Sequence, residues 1–189
     1  MKKNLLIFTG SPRKESISAL LAMEAARAAK EADASVKLIN LSALKINPCS
    51  ACQSCREKGP GTGKCIQKDE MQKLYPRLKE AEAIILAHPI YWFTINAQTK
   101  LFIDRWYAFG ADNYTSFKDK KVGLILTFAD HDAFTSGAVN ALRAYQDIFN
   151  YLEAKITGIV LASADRAGEV GKNRKVIKEA YQLGKKLIS

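Results

Sequence analysis

The chain has 189 residues, 48% apolar and 25% charged, a globular balance that excludes overall disorder and low complexity. Lys and Arg outnumber Asp and Glu by 29 to 19, and the formal charge of +10 permits an anionic partner without naming one. No apolar run approaches the roughly 18 residues of a membrane helix, and Leu5 to Phe8 is too short for a secretory signal, so a cytoplasmic chain without a membrane partner is expected.

Leu5-Leu-Ile-Phe-Thr9 reads as a first buried strand that stops at Gly10-Ser11-Pro12. Ile17, Leu20, Leu21, Ala25, Ala28 and Ala29 recur at helical spacing, which predicts a helix over 16–31. Val36 to Leu41 is a second strand. The stretch 42–66 has no periodicity and holds all four cysteines. Asp69 to Ala81 is a helix with Pro76 inside it, hence short or kinked. Ala83 to Ala87 is a third strand, closed by Pro89, and Asn96 to Phe109 a further helix. Lys121 to Phe128, Ser136 to Leu152, Lys155 to Ala162 and Val170 to Ile188 complete the alternation.

Strands apolar on both faces, alternating with helices, indicate a parallel sheet covered on both sides. No Pro/Gly/Ser linker or repeat divides the chain, so 1–189 is expected to be one α/β domain with a cysteine-containing loop at about 42–68. Ligands of such sheets lie beyond the carboxyl ends of the strands. The loops to inspect are therefore 10–18, 89–95 and 128–136. The basic residues do not form a basic helix or an aromatic–basic strand face, so no nucleic-acid partner is expected. Arg166, Lys172, Arg174, Lys175, Lys178, Lys185 and Lys186 read as the solvated face of a terminal helix.

In the first loop, Ser11, Ser16, Ser18, Arg13 and Lys14 meet the start of a helix, a place suited to a phosphate. The plainer reading is that Ser16 or Ser18 caps the helix and Arg13 is a surface charge. The later glycines of a dinucleotide fingerprint and a Walker lysine are both missing. In the second loop, Pro89-Ile90-Tyr91-Trp92-Phe93 offers walls for a planar ring, although some of these aromatics can equally be core. In the third, His131 has no Ser or Cys partner and reads as a hydrogen-bonding or surface residue, so no catalytic side chain is assigned. Cys49-x2-Cys52-x2-Cys55-x9-Cys65 is related to ferredoxin-type runs; zinc and free thiols stay open beside an iron–sulfur cluster.

Gly10-Ser11-Pro12-Arg13 after an N-terminal strand, the Ala83-Ile-Ile strand followed by Pro89-Ile90-Tyr91-Trp92, and Lys100-Leu101-Phe102-Ile103-Asp104-Arg105 together resemble the flavodoxin-like NADPH-dependent FMN reductase family. The closest likeness is to its iron–sulfur flavoprotein branch, which carries a compact cysteine motif before a run such as Asp69-Glu70-Met71. The resemblance implies a three-layer sandwich with a five-stranded parallel sheet of order 2-1-3-4-5. It implies FMN held at its phosphate by Ser11, Arg13, Ser16, Ile17 and Ser18. The ring would be lined by Pro89, Ile90, Tyr91, Trp92 and Phe93, and its pyrimidine edge closed by Thr127, Ala129 and Asp130.

The same resemblance implies NAD(P)H as electron donor, a flavin or quinone or a redox carrier protein as acceptor, and a homodimer or homotetramer. It also implies a [4Fe-4S] cluster on Cys49, Cys52, Cys55 and Cys65, with the residues around Gly59-Pro60-Gly61 looped out. Lys100 and Asp104 are expected to pair at i, i+4. Tyr107, Phe109 and Tyr114 are candidates for either a subunit contact or the core. The rival functions are an electron-transfer protein without turnover of a small substrate and a flavodoxin-like binding module without cofactor.

Overall fold

The computed structural model describes residues 2–13, 15–56, 65–164 and 173–189. Lys14, the loop around Gly59-Pro60-Gly61, Arg166, Lys172 and the expected helix start at Val170 lie outside the described residues. Strand β1 (Asn4–Thr9) leads to α1 (Ile17–Glu31), β2 (Ser35–Asn40), the cysteine segment and α2 (Met71–Glu80). Next come β3 (Ala83–Tyr91), the short β4 (Thr94–Ile95), α3 (Ala97–Asp104) and two 3-10 stretches, Arg105–Asp112 and Thr115–Phe117. Strand β5 (Lys121–Phe128), α4 (Ala138–Tyr151), β6 (Lys155–Ser163) and α5 (Arg174–Ile188) finish the chain.

The sheet runs β2-β1-β3-β5-β6, all parallel, in register at Leu5 with Val36, Leu5 with Ala83, Ala83 with Lys121 and Lys121 with Lys155. This is the expected order 2-1-3-4-5 with one strand added, because β4 pairs antiparallel with β3 and stands off the main path. Alternation along each strand sends side chains to two faces. Leu5, Ile7, Ile85 and Ile125 pack under α1 and α5, while Leu6, Phe8, Ile84 and Leu124 pack with Leu74, Phe102, Trp106, Tyr145 and Phe149 on the other face. Helices thus cover both sides of the sheet.

Two boundaries differ from the sequence reading. Strand β3 does not close at Pro89 but runs through it to Tyr91. Pairing with β1 ends at Thr9–Ala87, so one edge of β3 is free at Pro89, and a missing N–H costs nothing on that side. The helix expected over 96–109 leaves α geometry at Asp104 and goes on as the 3-10 stretch. Pro76 lies inside α2, which is short, with ten residues. Arg174, Lys175, Lys178, Lys185 and Lys186 are exposed on α5, the solvated face expected of them. Among the described residues, no helix is long and apolar enough to cross a membrane.

Candidate functional site

The chain leaves β1 for β2 on one side and returns to β3 on the other, so the strand order reverses between β1 and β3. A cleft of about 540 Å³ opens beyond the carboxyl ends there. It is lined by Ser11, Arg13, Ser16, Ile17 and Ser18 from the first loop, Pro89, Ile90 and Tyr91 from the end of β3, and Thr127 and Ala129 from the end of β5. Ten of the thirteen residues expected at a cofactor therefore meet in one place. Trp92 and Phe93 do not line the cleft: they stand 92% and 54% exposed at the tip of the β3–β4 hairpin. Asp130 is also exposed and outside the lining, its carbonyl accepting from the Ser163 hydroxyl.

The cleft gains Glu15, Phe128 and Ala164, which the sequence did not suggest. Glu15 adjoins the serines already singled out and Phe128 ends the fourth strand expected from the pattern, so both were within reach. Ala164 arrives through the Ala164 N–H bond to the Phe128 carbonyl at 2.9 Å, and no chemistry in its side chain signals that.

The first loop is built as an anion seat. Ser16 is extended and its hydroxyl accepts from the Ala19 N–H at 3.1 Å, so it caps α1. Its carbonyl takes the Leu20 N–H at 3.0 Å. The N–H groups of Ile17 and Ser18, at the first turn, are left for a partner outside the helix, at the positive end of its dipole. Gly10 is required by close approach, since a Cβ there would lie 2.1 Å from Thr99 Oγ1. Asn96, at the start of α3, donates to the Gly10 carbonyl at 2.6 Å and ties that helix to the loop.

The second loop is held from below and from the side. His88 is fully buried; one ring nitrogen lies 2.8 Å from the Pro89 carbonyl and the other 2.6 Å from the Tyr145 hydroxyl. A carbonyl only accepts, so Nδ1 carries the proton and Nε2 accepts from Tyr145. Burial pushes the His88 imidazole down to about 4, against a smaller upward pull from the Pro89 carbonyl. Trp92 and Phe93 both have left-handed backbone, with φ of 48° and 64°, and close the hairpin. Asn140 donates to the Phe93 carbonyl at 3.1 Å, and Gly137, at φ 75°, lets that backbone approach α4 where a Cβ would lie 2.4 Å from the Phe93 Cβ.

His131 is 80% exposed beside Asp132, which agrees with a surface role. Lys100 and Asp104 form the expected pair. Phe109 is core; Tyr107 and Tyr114 are half-buried, with Arg56 over the Tyr107 ring and Tyr151 at the edge of Tyr114.

All four cysteines line a second, much smaller cleft of about 20 Å³ together with Arg105 and Tyr107. Cys55 is buried, and burial raises its thiol, with smaller additions from the charges of Cys65, Cys52 and Cys49. Among the described residues, no three His, Cys, Asp or Glu side chains are grouped to hold a metal ion. The cysteine side chains share this cleft but, as arranged, do not present the gathered donor set of a zinc ion or an iron–sulfur cluster. Ala51 and Gln53 flank Cys52 in left-handed backbone, φ 52° and 59°, a conformation that costs about 1–2 kcal/mol per residue and gathers at functional sites.

Helix α3 links the two clefts. Its cap, Asn96, holds the first loop, and nine residues on, about 14 Å along a helix, Arg105 reaches the cysteines. Ser42 adds a second link, its hydroxyl donating to the Ser11 carbonyl at 3.0 Å.

A doubly wound parallel sheet with a helix-start anion seat and an apolar cleft at its switch point defines a flavodoxin-like mononucleotide-binding protein. The chain belongs to the NADPH-dependent FMN reductase family, whose model matches residues 3–169, and is an FMN-dependent oxidoreductase. It is 31% identical over 180 residues to an iron-sulfur flavoprotein of Archaeoglobus fulgidus, covering 94% of this chain and 76% of that protein. An iron-sulfur flavoprotein of Methanocaldococcus jannaschii is 37% identical over 97 residues, 51% of this chain and 48% of that one. The fold is shared with an FMN-dependent NADH-azoreductase of Bacillus anthracis solved in complex with FMN, at a TM-score of 0.68 and 19% identity over 100% of both chains.

Proposed function

We propose that the larger cleft holds FMN without a covalent bond and that the protein passes electrons from NAD(P)H to a small flavin or quinone acceptor, or to a redox carrier protein. The observation that carries this reading is the junction of an anion seat and an apolar slot in one cleft, of a volume that suits one mononucleotide. The phosphate takes the N–H groups of Ile17 and Ser18, the hydroxyls of Ser11, Ser16 and Ser18, and the forked guanidinium of Arg13. Pro89, Ile90 and Tyr91 lie along the ring, with Thr127 and Ala129 at its pyrimidine edge.

FMN supplies the two-electron chemistry. The protein's residues hold it, exclude water from one face and leave the other open, and no side chain is needed as acid or base. Trp92 and Phe93 stand beside the opening, available to an acceptor or to a second subunit. We further propose that residues 1–189 act as one domain in a cytoplasmic homo-oligomer. Replacing Arg13 with Ala should weaken FMN binding about tenfold or more, the loss of one charge-assisted phosphate contact of about 1.5–3 kcal/mol. Fluorescence titration of apoprotein measures this, and unchanged affinity would move the phosphate elsewhere.

A second reading adds a cluster on Cys49, Cys52, Cys55 and Cys65 that moves single electrons to a protein partner. Its support is the likeness to iron-sulfur flavoproteins, not the arrangement of the cysteines. The absorbance spectrum of anaerobically purified protein, with iron and sulfide analysis, tests flavin and cluster together. Steady NAD(P)H oxidation with a quinone, measured on the same sample, separates turnover from pure electron transfer.

A further inference from the structure

Among the described residues, four buried side-chain polar atoms have no hydrogen-bond partner, and two of them, Thr99 Oγ1 and Asn96 Oδ1, lie against one residue. Both side chains belong to the start of α3, and both residues are 1% exposed. A Cβ on Gly10 would lie 2.1 Å from Thr99 Oγ1 and 3.1 Å from Asn96 Oδ1, so the two oxygens face the same side of the residue that opens the first loop. Gly10 is held from two further directions. Its N–H donates to the Ala87 carbonyl at 2.9 Å, and its carbonyl accepts from Asn96 Nδ2 at 2.6 Å.

This junction is not built for stability. Asn96 holds the cap position of α3 and is a residue type that caps helices well, yet its side chain makes no cap bond. Its Nδ2 serves Gly10 and, at 2.9 Å, the Gln98 Oε1 instead. An apolar side chain of the same shape at position 99 would leave no unmet hydroxyl, and an unmet buried polar group is destabilising. A forgone cap and two unmet oxygens thus coincide where α3 touches the first loop. Departures of this kind call for an explanation and gather at functional sites.

We infer that Asn96 and Thr99 are positioning residues for the cofactor phosphate: the Thr99 hydroxyl donates to Asn96 Oδ1 when the loop carries FMN, and this bond holds Gly10 and Ser11 in place for the phosphate. The inference rests on the reading that the larger cleft holds FMN. The two atoms are complementary, since a hydroxyl can donate and an amide oxygen only accepts, so one bond satisfies both. Neither side chain lines the cleft, and both act through the loop. Gly10 passes directly to Ser11, which does line it, and Ser11 Oγ accepts from the Arg13 N–H at 3.3 Å. A hold on Gly10 therefore reaches two of the phosphate contacts.

Fluorescence titration of apoprotein with FMN, beside thermal unfolding of the same apoprotein, tests this. Thr99→Val keeps the shape and removes the hydroxyl. It should weaken FMN binding about three- to tenfold, the loss of one neutral hydrogen bond, while the apoprotein melts no lower than wild type. Thr99→Ser keeps the hydroxyl and removes a methyl group. It should melt lower through lost packing and bind FMN as wild type does. A side chain that served packing alone would give the reverse pattern. Wild-type affinity in Thr99→Val, or weakened affinity in Thr99→Ser, overturns the proposal. Arg13→Ala separates the two levels. If it binds FMN unchanged, the phosphate lies elsewhere and the proposal falls with that reading. If it binds weakly while Thr99→Val binds as wild type, the cleft reading stands and the proposal alone is overturned. Should Thr99→Val fail to fold, Thr99→Ser still decides.

Discussion

His88 shows how much one buried residue can position. It has a proton on one nitrogen and a lone pair on the other, and both are committed, to the Pro89 carbonyl and the Tyr145 hydroxyl. Charging the ring in this fully desolvated place is costly, which is why burial drives it down to about 4. The sign follows from linkage. Between pH 6.5 and 4 the unfolded chain takes up a proton that the folded chain refuses, so stability present above 6.5 is lost as pH falls through this window. The loss at full titration is about 3 kcal/mol. Urea unfolding at pH 7 and at pH 4.5 should therefore differ less in His88→Gln than in the wild type, once the variant's overall drop is subtracted. Equal pH slopes in the two proteins would show that His88 does not refuse the proton.

The β3–β4 hairpin carries the least expected geometry of any element. Two-residue hairpins with both central residues left-handed call for Asn-Gly, yet Trp92 and Phe93 occupy these positions. Replacing the pair by Asn-Gly should raise thermal stability by about 1–2 kcal/mol, since the strain disappears while the turn is kept. FMN binding should survive, because Tyr91 and not Trp92 lines the cleft, whereas turnover of an aromatic acceptor should fall if the exposed rings receive it. A drop in stability would mean that the rings hold a contact worth more than the strain. This is also why the hairpin was invisible in the sequence: its turn residues are the opposite of what that turn favours. The first loop was legible for the converse reason, since an apolar strand, a glycine and a serine-capped helix each obey local rules that agree. Arg105 escaped because its meaning depends on Asp69 and Cys65, 36 and 40 positions away, and local periodicity carries no such information.

At the scale of the whole molecule, the sheet gathers the ends of β1, β3, β5 and β6 into one cleft, so FMN binding at the proposed site would draw on contacts that exist only when the strand order is complete. A ligand that binds the folded chain alone stabilises it by mass action, about 2.7 kcal/mol at a concentration one hundred times the dissociation constant. For a chain of this length that is a rise in midpoint of about 5–11 °C, growing with the logarithm of FMN concentration. The cysteine site tests whether the two clefts are thermodynamically separate. Cys49 and Cys52 are exposed and absent from the larger cleft, so the double variant Cys49→Ser/Cys52→Ser should keep the full FMN-dependent rise. The links through α3 and Ser42 are made by Asn96, Arg105 and the Ser11 carbonyl, none of which this variant alters. A smaller rise, measured by differential scanning calorimetry at matched FMN, would show that the cysteine loop helps to order the phosphate loop through that Ser42 contact. The two clefts would then assemble as one cooperative unit.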